Sequence, residues 1–175
     1  NVSAEKEALH IIAMKADGSL RDALSIFDQI VTFAGNKICY SDVIENLNIL
    51  DYDYYFKLTE AIEKEDISAT LIILNEIYEK GFDGHNFIIG LAEHYRNLLV
   101  CKDERSVSLL EVPEAIQQRF VDLSKEIDSP RILRTLMTIS KTDTEFKSSK
   151  NQRLLIEVTL MLLCSLKQEN EKKNP

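Results

Sequence analysis

Apolar residues recur along this chain at spacings of three and four, which predicts one helix after another. Ser3 is placed to cap a first helix through Ala16, with Leu9, Ile12, Ala13 and Ala16 on one face and Asp17-Gly18 as its stop. Ser19 caps a second helix, in which Leu20, Leu24, Phe27 and Val31 form a core stripe until Ala34-Gly35 ends it. Ser41 opens a short helix from Asp42 to about Leu47. The stretch Asn46 to Asp51 reads as a joint between two modules, although its composition is not that of a linker.

Beyond the joint, Tyr55, Leu58 and Ile62 mark a helix that ends near Glu65-Asp66. Ile67, Leu71, Leu74, Ile77 and Tyr78 mark the next, stopped by Gly81, and Phe87, Ile88, Leu91, Tyr95, Leu98 and Leu99 mark a third. Lys102 to Val112 reads as a loop. Pro113 suits a first helical turn, and Ile116, Phe120, Leu123 and Ile127 supply that helix's stripe. Ser129-Pro130 repeats the cap-then-proline signal ahead of Ile132, Leu133, Leu136 and Ile139, and a last helix runs from about Ser149 to Lys167. No run alternates convincingly with period two, so the fold class is all-α, built as helix hairpins.

The last helix is apolar around most of its circumference, from Leu154 and Leu155 through Leu160, Met161, Leu162 and Leu163 to Leu166. Such a helix must be surrounded by protein. Two readings stay open: it is the central helix of its own domain, or part of its surface meets another subunit.

Composition narrows the function. The 175 residues carry 21 Lys and Arg against 29 Asp and Glu, a net charge of −8, which argues against autonomous binding to a phosphate backbone. Only 5 Gly are present, and neither GxxxxGKS/T nor GxGxxG occurs, so the chain is not expected to hold a nucleotide unaided. Cys39, Cys101 and Cys164 lie far apart and read as free thiols in a reducing compartment. His10, His85 and His94 have no metal spacing and read as surface or core-edge residues. No signal peptide is recognisable, and the apolar run Leu154 to Leu166 is too short for a bilayer, so a cytoplasmic protein without a membrane partner is expected.

Candidate chemistry concentrates at Gly18 to Ser25. Ser19 with Asp22 is a capping-box pattern. Arg21 then falls in the first turn, where the helix dipole disfavours a cation by about 0.3–1 kcal/mol. It lies off the stripe, on a face with Ser25 and Asp28. A positive helix end with an arginine suits a phosphate; the alternative is an exposed arginine balanced by Asp22. Elsewhere, Asp51, Asp53, Glu60, Glu63 and Glu65 lack calcium-loop spacing and read as a solvated face. Tyr52, Tyr54, Tyr55 and Phe56 read as packing at the joint. Arg131, Arg134, Lys141, Lys147, Lys150 and Arg153 read as a subunit-contact or solvated face. No nucleophile–base pair, catalytic residue or metal cluster is suggested.

The segment Gly18-Ser19-Leu20-Arg21-Asp22-Ala23-Leu24-Ser25, continued by Ile26-Phe27-Asp28-Gln29, closely resembles the bacterial DNA polymerase III gamma/tau family, the ATPases of the sliding-clamp loader. Ser19, Asp22 and the pair Asp28-Gln29 distinguish it from related clamp loaders, which carry G-D-x-R-x-A-L-N. Val43 to Leu50 is similar to the family's exit from its lid. The resemblance implies a partial AAA+ lid over residues 1–48, a helical-bundle collar for oligomerisation over residues 49–167, and a polar tail over residues 168–175. It gives Arg21 the sensor-two role, reaching the γ-phosphate of ATP held by a preceding domain, with Gly18, Ser19, Asp22, Asp28 and Gln29 as motif support. The Walker motifs, zinc-binding cysteines and arginine finger of the family are absent from this sequence, so the chain reads as a piece cut at Asn1. No cofactor is expected on the piece itself, with ATP and Mg belonging to the parent. The implied partners are gamma/tau copies, delta and delta-prime through the collar, and the sliding clamp and primed DNA through the parent complex. The competing readings are a stand-alone helical scaffold binding a partner protein and, more remotely, an enzyme using the acidic residues with a divalent metal.

Overall fold

Nine α-helices, one 3₁₀ turn and a two-residue parallel bridge make up the regular structure of residues 2–166, the part of the chain that the computed structural model describes. The expected tail 168–175, and the expected end of the last helix at Lys167, lie outside the described residues. The all-α class holds. The chain forms two compact units: one contains residues up to Asp51 together with Glu111–Ala115, the other Tyr52–Leu110 and the chain from Ile116 onward.

Unit 1 holds α1 (Lys6–Lys15), α2 (Leu20–Ala34) and α3 (Tyr40–Asn46). Ser3 does not cap α1. Its N–H donates to the Asn36 carbonyl at 2.8 Å, and Ser3 and Ala4 pair in parallel with Lys37 and Ile38. Glu5 takes the cap position instead, and its carboxylate accepts the Tyr40 N–H at 2.8 Å. That contact helps to start α3 one residue before Ser41, with the Cys39 N–H donating to the Asp42 carboxylate at 2.7 Å. The core is Ala8, Ile11, Ile12, Ala16, Ile30, Ile38 and Val43. The stripe expected inside α2 is only partly covered: Leu20 is 75% and Leu24 56% exposed, Phe27 and Val31 are half-buried, and Ile30 alone is fully buried. α2 packs on α1, α3 and the Lys37–Ile38 strand. Helical geometry places Ile30 roughly 60–120° around the axis from the residues of that stripe. Leu9 and Ala13, expected inside, are exposed as well.

Unit 2 is a bundle of α4 (Tyr52–Glu63), α5 (Ile67–Glu79), α6 (Gly84–Val100), α7 (Glu114–Glu126), α8 (Ser129–Phe146) and α9 (Gln152–Ser165), with the head of α7 belonging to unit 1. A 3₁₀ turn, Glu104–Leu109, interrupts the expected loop. Asp66, Asp83, Asp128 and Asn151 cap α5, α6, α8 and α9, each side chain accepting the N–H three residues on at 2.9–3.3 Å. The cap before Pro130 is thus Asp128, not Ser129. α6 lies along α8, and α9 packs against α4, α5, α6 and α8.

Three sequence expectations fail inside this bundle. Tyr55 and Phe56 do not pack a joint; they build an aromatic cluster with Phe87, His94 and Phe120. His94 is not at the core edge but fully inside, flanked by those rings. Arg131 is not solvated. Its buried guanidinium donates from Nε to Glu63 at 3.1 Å and from its Nη2 to the Leu163 carbonyl at 3.0 Å, tying α8 to α4 and α9.

Candidate functional site

The head of α2 is shaped by a reversal of the backbone. Asp17 and Gly18 have φ of 46° and 79°, left-handed values that end α1 and that glycine adopts without cost. A methyl group on Gly18 would touch nothing, so the requirement there is conformation and not space. Ser19 Oγ accepts the Asp22 N–H at 3.3 Å. The return arm of the expected capping box does not form, because the Ser19 N–H donates to the Ala16 carbonyl at 2.8 Å.

The motif therefore divides by direction. Gln29 Nε2 donates to Asn46 Oδ1 at 2.8 Å and ties α2 to α3. Ser25 and Thr32 fold their hydroxyls onto the carbonyls of Arg21 and Asp28. Arg21, Asp22 and Asp28 are exposed, and none of them makes a side-chain hydrogen bond or ion pair among the described residues. The neighbour Asp22 does not neutralise Arg21 by contact. What results is a free guanidinium at the positive end of a 15-residue helix, on a helix that also exposes Leu20 and Leu24. Chemically, that arrangement can donate several hydrogen bonds to an oxyanion; it holds no base or nucleophile.

Unit 2 carries a second outward feature. α9 buries Ile156, Thr159, Leu160, Leu163 and Cys164, whereas Leu154, Val158 and Leu162 stand 51%, 42% and 50% exposed along one edge. The two readings of this helix meet here, because one side is core and the other is an uncovered apolar face. On α8, Leu133 and Met137 are also exposed, and Leu136, Met137, Ser140, Lys141 and Thr144 line a shallow groove. The sequence pattern had put Leu133 and Leu136 in the core stripe. Leu133 follows Ile132 by one residue, about 100° around the helix, and is exposed, whereas Leu136 stands four residues from Ile132, on its face, and is half-buried.

The remaining candidates are structural. Asp53 pairs with Arg119 at 2.5 Å and Glu63 with Arg131, and among the described residues no group of three or more His, Cys, Asp or Glu is placed to hold a metal. His85 Nε2 lies 2.7 Å from Asp143 Oδ1, with its ring stacked on Phe146. The three cysteines are free, with burial pushing the thiols of Cys101 and Cys164 up. Among the described residues, no helix is long and apolar enough to cross a membrane.

Comparison with known proteins bears on both features. The family described as DNA polymerase III subunits gamma and tau domain III matches residues 38–174, and the ATPase lid domain of the DNA polymerase III clamp loader subunit matches residues 1–36. The chain is 26% identical over 163 residues to the DNA polymerase III subunit tau of Bacillus subtilis, covering 93% of this chain and 29% of that protein. It is 24% identical over 161 residues to the tau subunit of Escherichia coli, covering 92% of this chain and 25% of that protein. It thus spans little more than a quarter of these relatives. Its fold is similar to that of the Bacillus subtilis DNA clamp loader delta protein, with a TM-score of 0.57, 18% identity, and coverage of 94% of this chain and 52% of that one.

Proposed function

The chain belongs to the DNA polymerase III gamma/tau family, and we propose that it is the lid and collar of a clamp-loader ATPase subunit acting in DNA replication. The observation that carries the nucleotide half of this reading is Arg21, an arginine without a protein partner among the described residues, at the dipole-positive head of α2. In a parent that holds ATP and Mg²⁺ in another domain, Arg21 would donate to γ-phosphate oxygens as the sensor-two residue. Its donors are open to an oxyanion at the helix head. Gly18 and Ser19 fix where the helix starts and hence where that guanidinium stands; Gln29 fixes α2 against α3.

The assembly half rests on the apolar edge of α9. Leu154, Val158 and Leu162 form an uncovered stripe that a partner subunit would bury. We assign this face to contact with sister subunits, namely further gamma/tau copies, delta and delta-prime. The clamp and primed DNA would be reached through the complex and not through this acidic chain.

The test is Arg21→Ala in the full-length protein. Because Arg21 supports no contact within the fold, circular dichroism should not change. ATP-dependent clamp loading should fall, by roughly 100-fold if the loss matches removal of one preorganised oxyanion donor. Loading at the unsubstituted rate would sink the assignment. The isolated chain should give no saturable heat on titration with ATP.

A further inference from the structure

Within unit 2, the apolar edge of α9 is bordered by α5. Arg153, beside Leu154, donates from Nη2 to Asn75 Oδ1 at 3.1 Å, and its guanidinium lies 5.1 Å over the Tyr78 ring. The outer side of α5 adds Ile72, which is 60% exposed. One turn on stands Glu76, exposed and without a side-chain hydrogen bond or ion pair among the described residues. Glu79 accepts from Asn75 at 2.7 Å. The α5/α9 face is thus apolar with a free acid.

A second face of unit 2 has the opposite character. α9 meets α8 through Thr159, whose hydroxyl bonds to that of Thr142 at 2.8 Å, and Thr159 stands roughly 120° around α9 from Arg153. α8 therefore lies on a different side of α9 from α5. Its outer side carries Leu133, Met137, Ser140 and Thr144, all exposed. Their steps of four, three and four residues are those of a seam into which a second helix packs. Arg134 and Lys141 flank that seam on one side. Lys141 stands 3.8 Å from Glu145, but Arg134 has no partner among the described residues, and its Nε and Nη2 are buried without a hydrogen bond. An arginine cannot shed its proton, so a half-buried guanidinium left unpaired is costly and calls for a carboxylate.

We propose that the two faces are complements: the α8 seam of one copy of this chain receives the α5/α9 face of a second copy, with Arg134 taking the carboxylate of Glu76. The inference deepens the assembly reading above and rests on it, naming the surface on which the α9 edge docks. Because two different faces meet, the contact runs head to tail and leaves each end copy one face free. Leu133 and Met137 cover Ile72 and the α9 edge, and the opposite charges fix the register.

The test is light scattering of this chain over a concentration series. The chain should associate, and Arg134→Glu should weaken that association about tenfold or more, as should Glu76→Arg. A chain with both substitutions regains a pair of opposite charges and should return to within about threefold of the unsubstituted one. Met137→Asp, at a side chain 72% exposed, should weaken association without touching the fold, and it decides alone if Arg134→Glu alters the circular dichroism. A chain that stays monomeric, association indifferent to the α8 substitutions, or a folded double variant that does not recover would overturn the pairing. Association lost with Val158→Asp and Leu162→Asp but kept with the α8 substitutions would sink this inference alone and leave the α9 assignment standing.

Discussion

Protonating His94 would place a charge in the middle of the aromatic core of unit 2. Its ring lies 4.8 Å from Phe56, 4.9 Å from Phe120 and 5.9 Å from both Tyr55 and Tyr95, and neither nitrogen has a hydrogen-bond partner. Burial, helped by the Arg119 charge, holds its pKa down at about 3. The folded value is below the ordinary histidine value of about 6.5, so between the two the unfolded chain binds more protons. Stability should therefore be full above about pH 6.5 and fall as the pH drops toward 3, by about 1.4 kcal/mol per unit. That predicts a loss of roughly 2 kcal/mol by pH 5, measurable as a shift in urea midpoint. His94→Phe, which keeps a ring and removes the titration, should flatten that dependence; an equally steep profile would exonerate His94. Gly90 is a second point where one atom decides. A methyl group there would fall 2.6 Å from Cζ of the Tyr55 ring, which is held between Phe87 and His94 at 6.0 and 5.9 Å. Helix propensity would favour Gly90→Ala by about 1 kcal/mol, but overpacking against an immovable ring costs about 1–3. The variant should come out less stable by denaturant melting.

The edge of α9 can be separated from its core side by substitution. Val158 and Leu162 are half exposed, so Val158→Asp with Leu162→Asp should lower the unfolding free energy by about 1–2 kcal/mol per site, leaving the fold intact. The same change at the buried Leu160 should prevent folding. Light scattering of mixtures with sister subunits should then show assembly lost in the doubly charged variant. Assembly that persists would move the contact face elsewhere, with Leu133 and Met137 on α8 next in line. The contrast between these neighbours also marks how far the sequence could be read. Periodicity reports which sides of a helix are apolar, not which of them the fold covers. The α2 stripe is therefore exposed at Leu20 and Leu24 and half-buried at Phe27 and Val31, and α9 could not be apportioned. Local chemistry was legible at the Ser19 cap and the left-handed Gly18, although the cap before Pro130 is Asp128 and not Ser129. It misled where a distant residue intervened. Ser3 pairs with Asn36, the head of α3 uses Glu5, and Arg131 is drawn inside by Glu63, sixty-eight positions away. Gln29 was recognisable as part of the motif, but its bond to Asn46 belongs to the packing of α2 on α3.

At the scale of the whole chain, the two units are unequally fastened. Unit 1 rests on small aliphatic side chains such as Ala8, Ile11 and Ile30. Unit 2 holds the aromatic cluster and the buried ion pair of Arg131 with Glu63. Burial of aromatic area carries more free energy per residue, so unit 1 should open first. That ordering suits a part whose proposed work is to move while its neighbour stays assembled. Hydrogen exchange should give α1–α3 lower opening free energies than α4, α6, α8 and α9. A second variant makes the comparison decisive. Arg131→Ala removes the buried guanidinium from the Leu163 carbonyl and from Glu63, at a cost of about 3–5 kcal/mol. If the units unfold separately, that cost should fall on the amides of unit 2 alone, and protection in α1–α3 should not change. If protection dropped together across both units, the chain would be one cooperative body, and a lid that yields before its collar would be ruled out.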